Sequence, residues 1–472
     1  MKILLINPPL RTKAYDIPIG LGIIAQVLLN EGHEVKILDI FAEQLSKSKV
    51  IERINLNSEY KIIGIGSLIN MYKYLKWLIP IIKEYNPDSK IVVGGGVITQ
   101  KPKLLLKNTP ADIAVIGEGE LTMKEVVSAL EDNKSLKTVK GIYYKDDNQI
   151  IVNPPRPLIK NLDELPFPAY DLFPIDIYLH NVKRANLINK KTELSIISAR
   201  GCPYNCNFCF HIYGRGIRER SIDSVIEEIE FLKDKYKVES IMISDESFSV
   251  RKKRIMEFCN KMIIKKIDLP WSCNSRVNLV DRELLRRMKQ AGCFRIMYGI
   301  ESGSQKILNN MNKQFNLEQA KNAIKITIKE GIICKPTFMF GYPGENLKTI
   351  KETINFCRKF VISPQFFYAT PFPGTTLYNQ VRGKILEKFG TEENFIENLV
   401  HMHQLNINLT DFSDEKLVEL RKKTVKFLRK KPFYKYPKSM FYQYKQFGLN
   451  QMLNNYFKSF LRKLSKRYEI FK

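Results

Sequence analysis

The stretch "SARGCPYNCNFCFH", Ser198 to His211, decides this sequence. It carries three cysteines, Cys202, Cys206 and Cys209, spaced C-x3-C-x2-C. Gly201 and Pro203 interrupt regular structure, so one loop can bring all three thiols together. Sulfur ligands select zinc or iron–sulfur clusters. A closed zinc site needs a fourth ligand, and His211 is the nearest one in the chain. Three thiolates instead suit three irons of a 4Fe–4S cluster, leaving the fourth iron open to a small molecule.

The five remaining cysteines, Cys259, Cys273, Cys293, Cys334 and Cys357, are spread one per element and read as small apolar core residues. None precedes Cys202. This usage fits a reducing compartment better than a disulfide scaffold. The 472 residues allow two or three domains, and 44% hydrophobic with 26% charged content is that of a folded chain. No uninterrupted apolar run of about 18 residues occurs, so no transmembrane helix is expected. The opening MKILLINPPL reads as a first strand, not a signal peptide.

Around the cysteines the second half alternates strand and helix. Strands are expected over 193–200, 239–247, 271–277, 294–302, 335–341 and 364–374. A helix is expected after each of the first five. In the first, 221–236, Ile222, Val225, Ile226, Ile229 and Leu232 share one face and Ser221 can cap it. The pattern predicts a partial (β/α)6 TIM-like barrel over 191–385, with its chemistry at the carboxyl ends of the strands. The first 140 residues alternate too, with strands over 2–9, 33–40, 61–68, 90–96 and 112–120. They predict a doubly wound, Rossmann or flavodoxin-like parallel sheet. Between the two, 141–190 reads as a hairpin around Asp146-Asp147-Asn148 and a linker with six prolines over 153–174. Residues 386–472 read as a small basic helical extension.

Charge is concentrated at that end. The chain carries +27, and residues 421–472 hold 16 Lys or Arg against one acid, Glu469. Thirteen of those 52 residues are aromatic. The structural reading is a helix packing its aromatics on the barrel. The alternatives are contact with anionic lipid and, behind it, single-stranded nucleic acid.

The cysteine spacing, with Phe208 before the last cysteine, resembles the signature of the radical S-adenosylmethionine (SAM) enzymes. Further motifs fall at successive strand ends: Asp245-Glu246-Ser247-Phe248, Asn274-Ser275-Arg276, Gly299-Ile300-Glu301-Ser302-Gly303 and Gly341-Tyr342-Pro343-Gly344-Glu345. The resemblance implies a 4Fe–4S cluster on Cys202, Cys206 and Cys209 whose open iron chelates SAM and cleaves it to a 5′-deoxyadenosyl radical. It implies SAM contacts from Phe208, Asp245, Glu246, Arg276, Glu301, Gly341 and Gly344. For Asp245 and Glu246 the competing reading is a cap on the next helix.

The first domain resembles the cobalamin-binding domain of one radical SAM subfamily, through Asn7-Pro8-Pro9, Gly20 to Gly22, Gly32 to Val35, Gly94-Gly95-Gly96 and Gly117 to Glu120. Cobalamin contacts are expected from Pro8, Ser67, Gly94, Gly95, Gly96, Gly117 and Glu118. No D-x-H-x-x-G motif is present, and His33 reads as the start of a strand, so no histidine is expected on the lower face. RNA methylthiotransferases differ in carrying further cysteines in their first domain. The resemblance therefore implies methyl transfer to an unactivated carbon or phosphorus through methylcobalamin. The runner-up is an oxidative cyclisation or rearrangement, as in the anaerobic magnesium-protoporphyrin monomethyl ester cyclases. From another class comes a cobalamin- or redox-responsive binding protein. Implied partners are a small-molecule or lipid-like substrate and a reductant such as flavodoxin or ferredoxin. The expected location is cytoplasmic, with peripheral membrane contact through the basic tail.

Overall fold

The computed structural model describes residues 1–9, 14–55, 59–147, 149–185, 191–360 and 364–429. Two parallel sheets organise them. The first contains β1 (Lys2–Asn7), β2 (Glu34–Asp39), β3 (Ile62–Gly66), β4 (Lys90–Gly94), β5 (Ile113–Val115), β6 (Ile142–Asp146) and β7 (Gln149–Val152), in the order β2-β1-β3-β4-β5-β6-β7. β1 to β5 are parallel. Their apolar runs are buried on both faces because helices cover both. Ile19–Asn30 and Glu120–Glu131 pack on one face and Tyr72–Tyr85 on the other.

The expected hairpin does not belong to a linker. It pairs antiparallel with β5, Ile113 opposite Tyr144, and completes the first sheet. The first domain therefore runs past residue 140 to Val152. The physical reason is that β5 would otherwise present a bare edge. Asn148, in the expected turn, lies outside the described residues. The proline-rich segment that follows is a packed strap. Ala169 N–H donates to the Gly22 carbonyl at 2.9 Å on the first domain, and Tyr170 donates to Glu228 at 2.7 Å on the second.

The second sheet has six parallel strands: β8 (Glu193–Ile196), β11 (Ser240–Ile243), β12 (Trp271–Ser275), β13 (Cys293–Glu301), β14 (Ile333–Phe340) and β15 (Gln365–Tyr368). This is the curved partial barrel that the alternation predicts. The helix Ile222–Tyr236 begins at Ser221, whose hydroxyl accepts from Ser224 N–H at 3.2 Å, and buries the five predicted residues. Alternation along each strand sorts the side chains. Ile241, Cys273, Tyr298 and Phe338 pack outward under the helices, and their neighbours face the barrel lumen.

Two short strands, β9 (Ala199–Arg200) and β10 (Arg218–Glu219), pair antiparallel beyond the carboxyl end of β8 and frame the cysteine loop. There the two domains meet. Arg200, 3% exposed, donates to Glu118 on the turn after β5 at 2.7 Å and to Glu120, the first residue of the helix Glu120–Glu131, at 2.5 Å. Arg218 donates to both Glu118 oxygens at 2.9 Å, and Ile159 N–H of the strap donates to the same carboxylate at 2.8 Å. A second junction joins Lys76, on the helix Tyr72–Tyr85, to Glu393 at 2.9 Å and Glu397 at 2.5 Å.

Removing one partner of such a buried pair leaves a bare charge and costs about 3–5 kcal/mol. Arg200→Met is expected to lower the unfolding free energy by about that amount in denaturant titrations of the anaerobic protein. An unchanged midpoint would show that the ion cluster does not hold the domains together.

Candidate active site

Gly201 and four of the five residues between the cysteines make identified contacts. Gly201 has φ +90°, and a Cβ there would run into the Gly216 carbonyl oxygen. The Tyr204 ring lies 3.6 Å from the Arg276 guanidinium. The Asn205 carbonyl accepts from Asn312 at 2.7 Å. Asn207 N–H donates to the Met311 carbonyl at 3.0 Å, its side chain donates to the Asn310 carbonyl at 2.8 Å, and its carbonyl accepts from Leu377 N–H at 2.8 Å. Phe208 meets Tyr342 edge-on at 6.5 Å. The spacing residues thus anchor the loop to the ends of β12, β13 and β14.

The three thiols share one environment. All eight cysteines are free; Cys206 is buried, Cys202 half-buried and Cys209 partly open to solvent. Crowding by protein atoms, then the charge of Glu246 and the other two thiols, pushes the Cys209 thiol up to about 12. Burial likewise raises Cys202. Two buried cations stand beside them. Arg276, 6% exposed, points Nη1 at Cys206 Sγ at 3.5 Å and donates its other terminal nitrogen to the Lys313 carbonyl. Lys313, 4% exposed, lies 3.6 Å from Glu301 and 5.6 Å from the Phe208 ring.

The carboxylates divide in role. Asp245 does not face open space. Its oxygens accept from Ser198 N–H at 2.7 Å, Ser198 Oγ at 2.6 Å and Ala199 N–H at 3.1 Å. These side-chain bonds all run to the start of the cysteine stretch. Neither Asp245 nor Glu246 caps the next helix, Lys252–Ile264, which has no side-chain cap. Glu246 is exposed yet walled by protein, and burial, then Asp245, pushes it up to about 7. Glu301 is buried at φ +72°, an uncommon conformation for a non-glycine residue, and burial raises its carboxyl despite Lys313. Gly341 and Gly344 flank the turn after β14, where Gly341 N–H donates to buried Glu345 at 2.7 Å.

On the first domain, the turns after β3, β4 and β5 form an edge of small residues. Gly95 has φ +83°, and a Cβ there would stand 2.5 Å from the Ser67 carbonyl oxygen. Ser67 N–H donates to the Gly94 carbonyl at 3.2 Å, Gly96 follows as the first residue of a short helix, and Gly117 (φ +76°) opens onto free space. Pro8 follows β1, where Asn7 donates to Asp39 at 2.8 Å. His33 stands at the amino end of β2, the opposite edge of the sheet. The Glu118 carboxylate accepts from Arg200, Arg218 and Ile159 N–H and so joins the two domains.

Comparison with known proteins matches residues 196–357 to the Radical SAM superfamily and residues 11–127 to the B12 binding domain. An uncharacterized methyltransferase of Pyrococcus horikoshii is 34% identical over 388 residues, covering 80% of this chain and 82% of that protein. The chain belongs to the radical SAM enzymes that carry a B12-binding domain. The cytidylyl-2-hydroxyethylphosphonate methyltransferase of Streptomyces wedmorensis is 27% identical over 435 residues, covering 80% and 81%. The fold agrees with that of the radical SAM methyltransferase TsrM of Kitasatospora setae, solved with cobalamin and a [4Fe-4S] cluster. It has TM-score 0.68 at 16% identity, covering 82% of this chain and 75% of that one.

The cofactors of this family are a 4Fe–4S cluster, SAM and cobalamin, and the residues present fit them. Three free thiols on one loop would hold three irons of the cluster, with Arg276 and Lys313 beside them to offset charge. No three His, Cys, Asp or Glu side chains among the described residues converge as they would on a single ion. A cubane holds its thiolates further apart than one ion does. On the turns after β4 and β5, the Cβ positions of Gly94 and Gly96 have no atom nearer than 3.9 Å and that of Gly117 opens onto free space, so bare backbone is offered to a broad planar ligand.

The signal for Lys313, which sequence reading missed, was weak. It follows a turn with Asn312 at φ +54° and becomes a neighbour of the cysteines only through tertiary packing. Cys206→Ala is expected to abolish cluster loading, read as iron and sulfide content after anaerobic reconstitution, while the chain stays folded. Full iron content in that variant would remove Cys206 from the ligand set.

Proposed function

We propose that this enzyme transfers a methyl group to an unactivated carbon or phosphorus of a small-molecule substrate. The observation that carries the reading is the junction at Arg200. It sets the glycine edge of the B12-binding sheet against the loop of Cys202, Cys206 and Cys209. When bound, the cluster supplies the electron that cleaves SAM, and the corrinoid carries the methyl group.

The chain's own residues bind and orient. Cys202, Cys206 and Cys209 are the iron ligands. SAM brings an ammonium, a carboxylate and a sulfonium. Glu246 and Glu301 offer negative charge for the first and third, and Arg276 with Lys313 offers positive charge for the second. Phe208, packed on Tyr342, and the turn of Gly341 and Gly344 wall the adenosine side. Asp245 acts through Ser198 and Ala199, as a positioning residue. Pro8, Ser67, Gly94 to Gly96 and Gly117 form the corrin edge, with no histidine offered to the lower face. The electron comes from a reductant of the flavodoxin or ferredoxin type. Among the described residues no helix is long and apolar enough to cross a membrane. The basic aromatic tail from 430 onward, and with it contact to lipid or nucleic acid, lies outside the described residues.

Two measurements test this. In anaerobic turnover, S-adenosylhomocysteine and 5′-deoxyadenosine are expected together, in step with methylated product. Deoxyadenosine without S-adenosylhomocysteine would turn the reading to cyclisation or rearrangement. The second is pH dependence. With Glu246 near 7, its carboxylate is protonated below that pH and charged above it. SAM affinity is expected to rise between pH 6 and 8 in the wild type and to flatten in Glu246→Gln. An identical slope in both would take Glu246 out of the SAM site.

A further inference from the structure

The barrel lumen holds a lysine that has no ion-pair partner among the described residues. On β14, Cys334, Pro336, Phe338 and Phe340 are buried, while Lys335, Thr337 and Met339 are half-buried and face the lumen. The floor of the lumen is closed by Arg295 of β13. It reaches across the curved sheet to Glu193 of β8 at 3.1 Å and Ser272 at 3.0 Å. Lys335 stands beside Met297, two residues above Arg295 on the paired strand. Glu193 is already engaged by Arg295, and no carboxylate lies within ion-pair distance of the Lys335 ammonium among the described residues. The buried Nε of Arg295 also lacks a partner among the described residues. Burial, then Arg295, disfavours the charged form of Lys335, and the more distant Glu193 offsets this only in part. A partly buried ammonium without an ion pair and an orphan guanidinium N–H are costly unless a ligand completes them.

The height is suitable. Phe338 of β14 pairs with Glu301, and Lys335 lies three residues lower, about 10 Å at ~3.3 Å per residue. Met297 stands level with Lys335, while Met339 and its pair Phe367 of β15, stacked on His403 at 4.8 Å, stand just above the level of Glu301; all three are half-buried on the lumen face. Unbranched thioethers adapt to varied shapes.

We infer that the lumen takes an amphiphilic substrate whose oxyanion group, phosphate-like or carboxylate, is anchored by Lys335 beside Arg295, with its apolar body against Met297, Met339 and Phe367. The inference rests on the methyl-transfer reading only in calling this occupant the substrate; anion binding itself is independent of turnover. Lys335 is thereby a specificity-determining residue, placed below the reacting atoms and not among them.

The test uses the full chain, anaerobic and loaded with cluster and cobalamin, without reductant. Titration calorimetry with n-butylphosphonate and with pentanoate is compared with n-butanol. Both anions are expected to bind and the alcohol not; the stronger of the two tells phosphoryl-type from carboxylate substrates. Lys335→Met, similar in volume, is expected to weaken anion binding at least tenfold. Lys335→Arg should retain it within about threefold. Iron and corrinoid content report whether each variant is folded, and Lys335→Gln serves as a second neutral variant if the methionine form loads poorly. Absence of anion binding in the wild type would overturn the inference. Equal binding in the neutral variants, as expected if the basic tail were the site, would also overturn it. Failure to methylate any substrate would instead count against the proposed function and leave this result standing.

Discussion

A guanidinium taken out of water must be met by charge, and Arg200 is met by two carboxylates from another domain. The rest of the site depends on that constraint. Arg200 directly precedes Gly201 and Cys202, so the pairing that joins the domains also fixes the first residue of the cysteine loop. Asp245 holds the preceding Ser198 and Ala199 from β11, and the Gly216 carbonyl leaves room for nothing but a glycine at 201. Three unrelated elements therefore converge on four consecutive residues. Such a junction sets where the edge of one sheet stands relative to the loop of the other, which two-cofactor chemistry requires.

The electrostatics follow the same economy. Three thiols, the exposed Glu246, the buried Glu301 and two buried cations lie together at the carboxyl ends of the barrel strands. Low local dielectric strengthens each of these interactions, so the placement of Arg276 beside Cys206 and of Lys313 beside Glu301 governs how much negative charge the site tolerates. Aromatic rings pack on both cations: Tyr204 and Phe315 on Arg276, Phe208 and Phe315 on Lys313. Those stacks hold the cations in place as the loop's contents change charge.

Below the cysteines, the inward face of the barrel carries Arg295 and Ser272 at its floor, Lys335 with Met297 above them, then Thr337, and Met339 with Phe367 at the rim. This ordering runs against a simple packed core. An enclosed TIM barrel fills its interior with branched aliphatic side chains. Here Arg295, Lys335 and Ser272 occupy equivalent inward positions, and the sheet of six strands stays open on one side. The lumen is therefore a compartment for a ligand, and its lining sets which ligand.

The local pattern of the chain was enough to determine a good deal. Hydrophobic runs and helix faces placed eleven parallel strands and their helices, since periodicity records which faces are buried. The cysteine spacing and the glycine turns marked the two cofactor regions, because their chemistry is carried by neighbours in sequence. What the sequence could not decide were pairings between distant residues. Glu118 and Asp245 sat among the expected ligand contacts, yet their partners Arg200 and Ser198 lie 82 and 47 positions away, and only folding shows those bonds. Lys313 carried only a weak local signal and Lys335 none; each becomes significant through the face of the strand or turn that holds it. The hairpin was visible as a hairpin but not as an edge of the first sheet. Burial pattern is local and legible. Charge compensation is long-range, and it was settled only when the two sheets came together.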